Sequence, residues 1–204
     1  MRDLEIRGAG NLLGVEQSGY MNAVGFDLYT RLVREAVEEL KEQEPVRERE
    51  AVKDTECSVE ITGDAFLPGI YVEDENTRVD LYSRLSAMTR TEDIDRFAEE
   101  LADRFGPAPN AAERLLEAAR LKIIGQKLGM MRLKVGRQKL YALLDESRVK
   151  NQDETEHLAD RIRSIIDATG GAVRFIQHKG FGFVVNLPEE NSLEFAKKIL
   201  QSWK

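Results

Sequence analysis

The chain has 204 residues, of which 42% are hydrophobic and 33% charged, and its formal net charge is -7. The apolar content is enough for a folded core. The acidic balance excludes a free-standing duplex-binding protein, because such proteins gain affinity by neutralising phosphates. A single cysteine, Cys57, excludes an internal disulfide and indicates a cytoplasmic protein. No apolar run reaches the roughly 20 residues that a membrane-spanning helix needs, so we expect no membrane association.

A glycine-rich segment opens the chain at residues 2–19, where Gly8, Gly10, Gly14 and Gly19 lie among polar residues. The segment has too little apolar surface to form a core of its own, so we expect it to pack on a scaffold that precedes residue 1. Its glycine spacing does not match the dinucleotide-binding fingerprint, and no Gly-Lys-Ser/Thr sequence follows that would complete a phosphate-binding P-loop. We therefore expect no ATP hydrolysis by this chain alone.

An amphipathic helix is predicted next, because apolar residues between Phe26 and Leu40 recur at three- and four-residue steps. The following stretch contains Pro45 and mixes acidic and basic residues without periodicity, which is typical of a linker. These patterns divide the chain into three parts: a glycine-rich segment with its connecting helix at 1–43, a linker at 44–54, and a terminal domain at 55–204.

The terminal domain begins with a predicted strand, since Cys57, Val59 and Ile61 alternate with polar residues. Three helical patterns follow, and Thr91 is the predicted N-cap of the second. The apolar faces of these helices are Val79, Tyr82 and Leu85; Ile94, Phe97, Ala98, Leu101 and Phe105; and Ala112, Leu115, Leu116, Ala119 and Ile123. Gly106-Pro107 and Gly129 are predicted to end the second and third.

The last third of the chain predicts two β-hairpins, each followed by a helix. Alternating residues from Met131 to Leu144 indicate the first hairpin, and Val173 to Val185 the second. The helix between them ends at Gly170-Gly171, and Ser192 is the predicted N-cap of the last helix. We therefore expect an α+β fold, in which helices pack with a small, mainly antiparallel sheet and a helical and loop extension precedes them.

Groups that could carry chemistry are few, and each has a simpler structural interpretation. Two sets of neighbouring acidic residues suggest acid–base catalysis or a metal site. Their places on helix ends and polar faces favour capping and solvation instead. His157 and His178 have no nucleophile at a suggestive spacing, and Cys57 is expected to pack as a small apolar residue. A hairpin tip with basic and aromatic residues is typical of nucleic-acid binding, but a hairpin turn whose aromatic side chain is buried in the core is the favoured interpretation. The carboxylates are Asp74, Glu75 and Asp80, and Glu99, Glu100 and Asp103; the tip is Lys179, Phe181 and Phe183.

The glycine-rich segment resembles the TRG segment, which RecG-type helicases share with the bacterial transcription-repair coupling factor family. A second pattern separates these two families. It has a proline and an aromatic, Pro68 and Tyr71, followed by Arg78-x-x-x-Tyr82-x-Arg84, and it continues through 103–107 and 119–121. This second pattern is similar to the coupling factor family and is not expected in a RecG-type helicase.

The resemblance implies that the opening segment follows the second lobe of a helicase-like motor and couples nucleotide state to movement along duplex DNA. The family's important arginine and glutamine match Arg7 and Gln17, and its glycines match Gly8, Gly10 and Gly14. A guanidinium keeps its charge and donates several hydrogen bonds, and an amide both donates and accepts. The resemblance places ATP and Mg in the parent motor and implies no cofactor, catalytic residue or metal ligand in this chain.

The resemblance also implies partners. The parent is an ATP-dependent DNA translocase that displaces stalled RNA polymerase and recruits UvrA for nucleotide excision repair. Its terminal domain is autoinhibitory, because it docks on the N-terminal UvrB-like module of the same protein and masks the UvrA-binding surface. Charged helix faces at 31–39 or 95–104 are candidates for that contact. Two alternatives stay open: an outward-facing adaptor for RNA polymerase or UvrA, and an independent small α+β enzyme.

Overall fold

The computed structural model describes residues 57–144, 152–177 and 180–203. These residues form five helices and five strands in an α+β fold, which confirms the predicted fold class. In chain order they are β1 (Ser58–Ile61), α1 (Glu75–Ala87), α2 (Thr91–Phe105), α3 (Asn110–Lys127), β2 (Met130–Val135), β3 (Lys139–Leu144), α4 (Gln152–Ala168), β4 (Val173–Gln177), β5 (Phe181–Asn186) and α5 (Ser192–Ser202).

The five strands form one sheet in the order β1-β2-β3-β5-β4. Both predicted hairpins are present, and their inner strands β3 and β5 pair antiparallel, with Ala142 opposite Phe183. Strand β1 pairs parallel with β2, and the intervening helices provide the long crossover that a parallel pair requires. The sheet is therefore mainly antiparallel, as predicted.

Two compact units make up the described residues. The first contains residues 63–119, with α1, α2 and the first part of α3. Leu81, Phe97 and Leu115 lie in its core and are almost completely inaccessible to solvent. The hydroxyl of buried Tyr82 accepts a hydrogen bond of 2.8 Å from the backbone N–H of Leu67. This bond fixes the irregular stretch before α1 onto the helices.

The second unit contains residues 57–62 and 120–203, with the sheet and its helices. Paired buried residues run across four strands in register: Val59, Leu133, Ala142 and Phe183. The rings of Phe183 and Trp203 lie 5.1 Å apart, which packs the end of α5 on this face of the sheet. Burial of this row explains why β1, β2, β3 and β5 read as apolar or alternating segments.

Two predicted helix caps are wrong. Helix α2 begins at Thr91, so its N-cap is Arg90, whose side chain makes no capping bond. Helix α5 begins at Ser192 after Asn191, which adopts a left-handed conformation with φ 59. In both cases the hydroxyl residue is the first helical residue, one position later than the sequence rule places it. The predicted boundaries at 43/44 and 54/55 lie outside the described residues and stay predictions.

Candidate interaction surface

The described residues contain no group of three or more His, Cys, Asp or Glu side chains that could hold a metal ion. None of the described helices is both long and apolar enough to cross a membrane. The predicted coupling residues Arg7, Gly8, Gly10, Gly14 and Gln17 lie outside the described residues, as do His178, Lys179 and the side chain of His157. The most distinctive surface that the structure describes is in the first unit, around residues 68–78 and α2.

A tight turn at residues 68–72 leads into α1. The carbonyl oxygen of Pro68 accepts hydrogen bonds from the backbone N–H groups of Tyr71, at 2.9 Å, and Val72, at 3.0 Å. The Tyr71 hydroxyl lies 3.2 Å from the Leu101 carbonyl oxygen and 3.0 Å from that of Gly106. Leu101 lies in the last turns of α2 and Gly106 is the residue directly after the helix, so both acceptors are at its C-terminal end. The turn is therefore fixed to α2.

Arg78 fixes the C-terminal end of this turn. Its side chain is buried, with 4% of the residue exposed. Its Nη1 donates to the carbonyl oxygens of Val72, at 2.6 Å, and Glu73, at 3.0 Å, and its Nη2 lies 3.6 Å from a Glu75 carboxylate oxygen. The guanidinium thus satisfies backbone acceptors that no helix or strand ladder would satisfy.

Replacement of Arg78 by Met should lower the free energy of unfolding by about 2–4 kcal/mol, because it leaves the carbonyls of Val72 and Glu73 without their donor. Chemical denaturation of the 204-residue chain measures this. The matched control is Arg96→Met, since Arg96 is largely exposed and its ion pair with Asp93, at 3.4 Å, is on the surface. Equal stability of the two variants would contradict the structural role of Arg78.

Helix α2 carries acidic residues along the side opposite its buried face. Ile94, Phe97 and Leu101 are buried, and four carboxylates at helical spacing are exposed on the other side. We call these four the acidic stripe: Glu92, Asp95, Glu99 and Asp103. Arg96 lies on the same side of the helix, and Arg90 pairs with Glu92 at 3.5 Å, but the four carboxylates outnumber these two cations, and the net negative charge favours a basic partner surface.

A cluster of two arginines and one glutamate borders the acidic stripe. Nη1 and Nη2 of Arg84 donate hydrogen bonds to the two carboxylate oxygens of Glu100, and Nη1 of Arg104 donates to its Oε1 at 2.8 Å. These bonds, the one from Arg84 first, lower the pKa of Glu100 to about 2. The ion pairs are therefore intact near neutral pH, and their stabilisation is lost only as pH falls from the ordinary glutamate range toward that value. The guanidinium groups also lie over the rings of Phe97 and Phe105, at 5.1 and 4.8 Å.

The structure confirms the structural interpretation of one candidate carboxylate. Asp74 caps α1 by accepting hydrogen bonds from the backbone N–H of Thr77, at 2.6 Å, and from its hydroxyl, at 2.7 Å. The bond from the hydroxyl, and then that from the backbone, lower the pKa of Asp74. Cys57 and Phe183 are buried, as expected.

Two features of this surface were not predicted. Ile70, at the tip of the turn, has 92% of its surface exposed. The mainly apolar sequence around it gave no sign that this side chain would point outward. The burial of Arg78 was not predicted either. An arginine that follows an apolar turn by six residues can reach back and donate hydrogen bonds to the backbone carbonyls of that turn.

Comparison with known proteins agrees with this fold. Residues 61–155 match the TRCF domain family. The transcription-repair-coupling factor of Escherichia coli (strain K12) is 44% identical over 132 residues, which are 64% of this chain and 11% of that protein. That of Staphylococcus haemolyticus (strain JCSC1435) is 40% identical over 137 residues, 66% of this chain and 11% of that protein. The chain thus spans about a tenth of the length of these relatives.

A crystal structure of the C-terminal domain of transcription-repair coupling factor has the same fold, with a TM-score of 0.58 at 20% identity, over 72% of this chain and 93% of that one. The fold and the family match together define a TRCF domain. Over residues 61–155 the chain belongs to the TRCF domain family, and it has the fold of the C-terminal domain of transcription-repair coupling factor.

Proposed function

We propose that this chain is the regulatory domain of a coupling factor. It docks reversibly on the N-terminal UvrB-like module of the same protein, and so masks the surface that binds UvrA. The observation that carries this proposal is the acidic stripe on α2, an exposed charged face on a domain whose described residues hold no metal-binding group. Such a face suits protein contact better than catalysis.

The parent protein would supply the activity. It is an ATP-dependent translocase on duplex DNA, in the cytoplasm, that displaces stalled RNA polymerase and brings UvrA to the lesion. ATP and Mg bind in the motor, and this chain binds neither. Arg7 and Gln17, with the glycines at 8, 10 and 14, couple the motor to the duplex. The names of the relatives, transcription-repair-coupling factors, support this assignment at the level of the whole protein.

A contact of low affinity is sufficient for such regulation, because both partners belong to one chain. Tethering gives the two surfaces an effective concentration of order mM, so that a dissociation constant of about 0.1 mM between the separate proteins, weak but measurable, still keeps the contact closed in most molecules. A polar interface of this kind also opens readily when the motor changes conformation. The acidic stripe and its arginine border match these requirements, since they offer charge and few apolar groups.

Deletion of residues 55–204 from the parent tests the proposal. If the contact is closed in nine molecules out of ten, removal raises the apparent affinity for UvrA about tenfold, and basal ATP hydrolysis also rises. Titration with UvrA and a steady-state ATPase assay measure the two effects. An adaptor role predicts the opposite result, a loss of UvrA or polymerase binding. ATP turnover by the 204-residue chain alone would instead indicate an independent enzyme.

A further inference from the structure

The turn at residues 68–72 displays one apolar side chain to solvent. Ile70 is 92% exposed, whereas the other exposed large apolar residues among the described ones, Met131, Ile166 and Phe195, are 37–39% exposed. Single apolar side chains at the surface are ordinary, and exposure alone indicates nothing. The distinguishing property of Ile70 is the rigidity of the backbone that carries it.

Both sides of Ile70 are fixed. Pro68 accepts hydrogen bonds from Tyr71 and Val72, and buried Arg78 holds the Val72 carbonyl oxygen at 2.6 Å. The ring of Tyr71 packs edge-on against Phe105 with 5.8 Å between centroids. The backbone beside Ile70 therefore has little conformational freedom left to lose on binding, and rigid presentation of this kind increases affinity.

The charges around the turn indicate the chemistry of a partner. Glu73, Asp74 and Glu75 follow it directly, and all three are exposed. Because the Tyr71 hydroxyl contacts the end of α2, the turn lies beside the helix that carries the acidic stripe. An exposed apolar group bordered by carboxylates fits an apolar pocket with Lys or Arg at its rim.

We propose that Ile70 is the apolar anchor of the contact with the N-terminal module: it enters an apolar pocket with a basic rim on that module, while the carboxylates pair with the rim. This inference rests on the proposed function and specifies its contact surface. A few buried apolar anchors supply most of the affinity of a protein interface, whereas charges at its edge contribute less and set specificity.

The test is a titration of the 204-residue chain with the purified N-terminal module of the parent. Ile70→Ser should weaken binding about tenfold, by the same factor at low and high salt concentration, since the lost contact is apolar. The melting temperature should not change, because the side chain is exposed. Ile166→Ser, which removes a partly exposed isoleucine from the second unit, is the matched control and should bind as the wild type does.

Each other outcome is decisive. If the wild-type chain binds the module and Ile70→Ser binds within twofold of it, the anchor is wrong and the proposed function stands. If the wild-type chain does not bind the module at any salt concentration, the proposed function fails and the anchor fails with it. If Ile70→Ser instead abolishes self-association of the chain in sedimentation, Ile70 belongs to a contact between two copies, and the proposal is overturned.

Discussion

Charge reversal of the acidic stripe in the full-length coupling factor, by Glu99→Lys with Asp103→Lys, is expected to raise the affinity for UvrA about tenfold. Both side chains are exposed on α2, on the side opposite its buried residues. If the stripe docks on a basic surface of the N-terminal module, the two reversals replace attraction with repulsion. The docked state is then no longer more stable than the open state, and the UvrA-binding surface is exposed. The gain should be smaller at high salt, because exposed charges are screened. Titration with UvrA at two salt concentrations measures it.

The control for this pair is Asp167→Lys with Glu190→Lys. These residues are also exposed, they lie in the second unit, and their reversal changes the net charge by the same amount. The control should leave UvrA affinity unchanged, and neither pair should alter the melting temperature by much, since surface charges contribute little to stability. An equal gain from both pairs would show that total charge, and not the acidic stripe, governs the contact.

The largest loss of stability is expected for Gly182→Ala. Gly182 lies in β5 opposite Leu143 of β3, and a methyl group on it would overlap the Ala142 carbonyl oxygen and approach the Leu143 side chain to 2.7 Å. Backbone cannot move aside as a flexible side chain does, so the two hairpins must separate locally. We expect a loss of about 3 kcal/mol or more in the free energy of unfolding, measured by chemical denaturation.

Gly136→Ala is the matched control, because Gly136 lies in the same unit and a methyl group there meets the Lys139 carbonyl oxygen at an ordinary 3.5 Å. Its stability should stay within about 1 kcal/mol of the wild type. Comparable destabilisation by both substitutions would mean that loss of glycine flexibility, and not the close approach of β3 and β5, determines the effect.

Local patterns predicted the elements well. The regular spacing of Ile94, Phe97 and Leu101 predicted α2, and alternation predicted both hairpins, because these signals depend on neighbours in sequence. The strand order was not predicted. Pairing of β3 with β5 joins residues about 40 positions apart, and it depends on fit between distant segments, which no local period encodes. The tight approach at Gly182 appears only once that pairing is known.

The candidate surface was predicted only in part. The charged face of α2 was recognised from the sequence, since helical spacing fixes which carboxylates share a side. The exposure of Ile70 was not recognised from the sequence, because it depends on the hydrogen bonds through which Tyr71 and Arg78 fix the turn. The resemblance gave the family correctly, while the coupling roles of Arg7 and Gln17 stay predictions, as these residues lie outside the described ones.

The buried thiol of Cys57 has a practical consequence. It is the one cysteine of the sequence, it is fully inaccessible, and it lies beneath Gly125 of α3, where the helix leaves no room for even a methyl group. A second cysteine placed on the surface would therefore be the sole thiol open to a maleimide dye, without prior removal of the native one. Fluorescent reporters can thus be attached at chosen single positions of the unaltered fold.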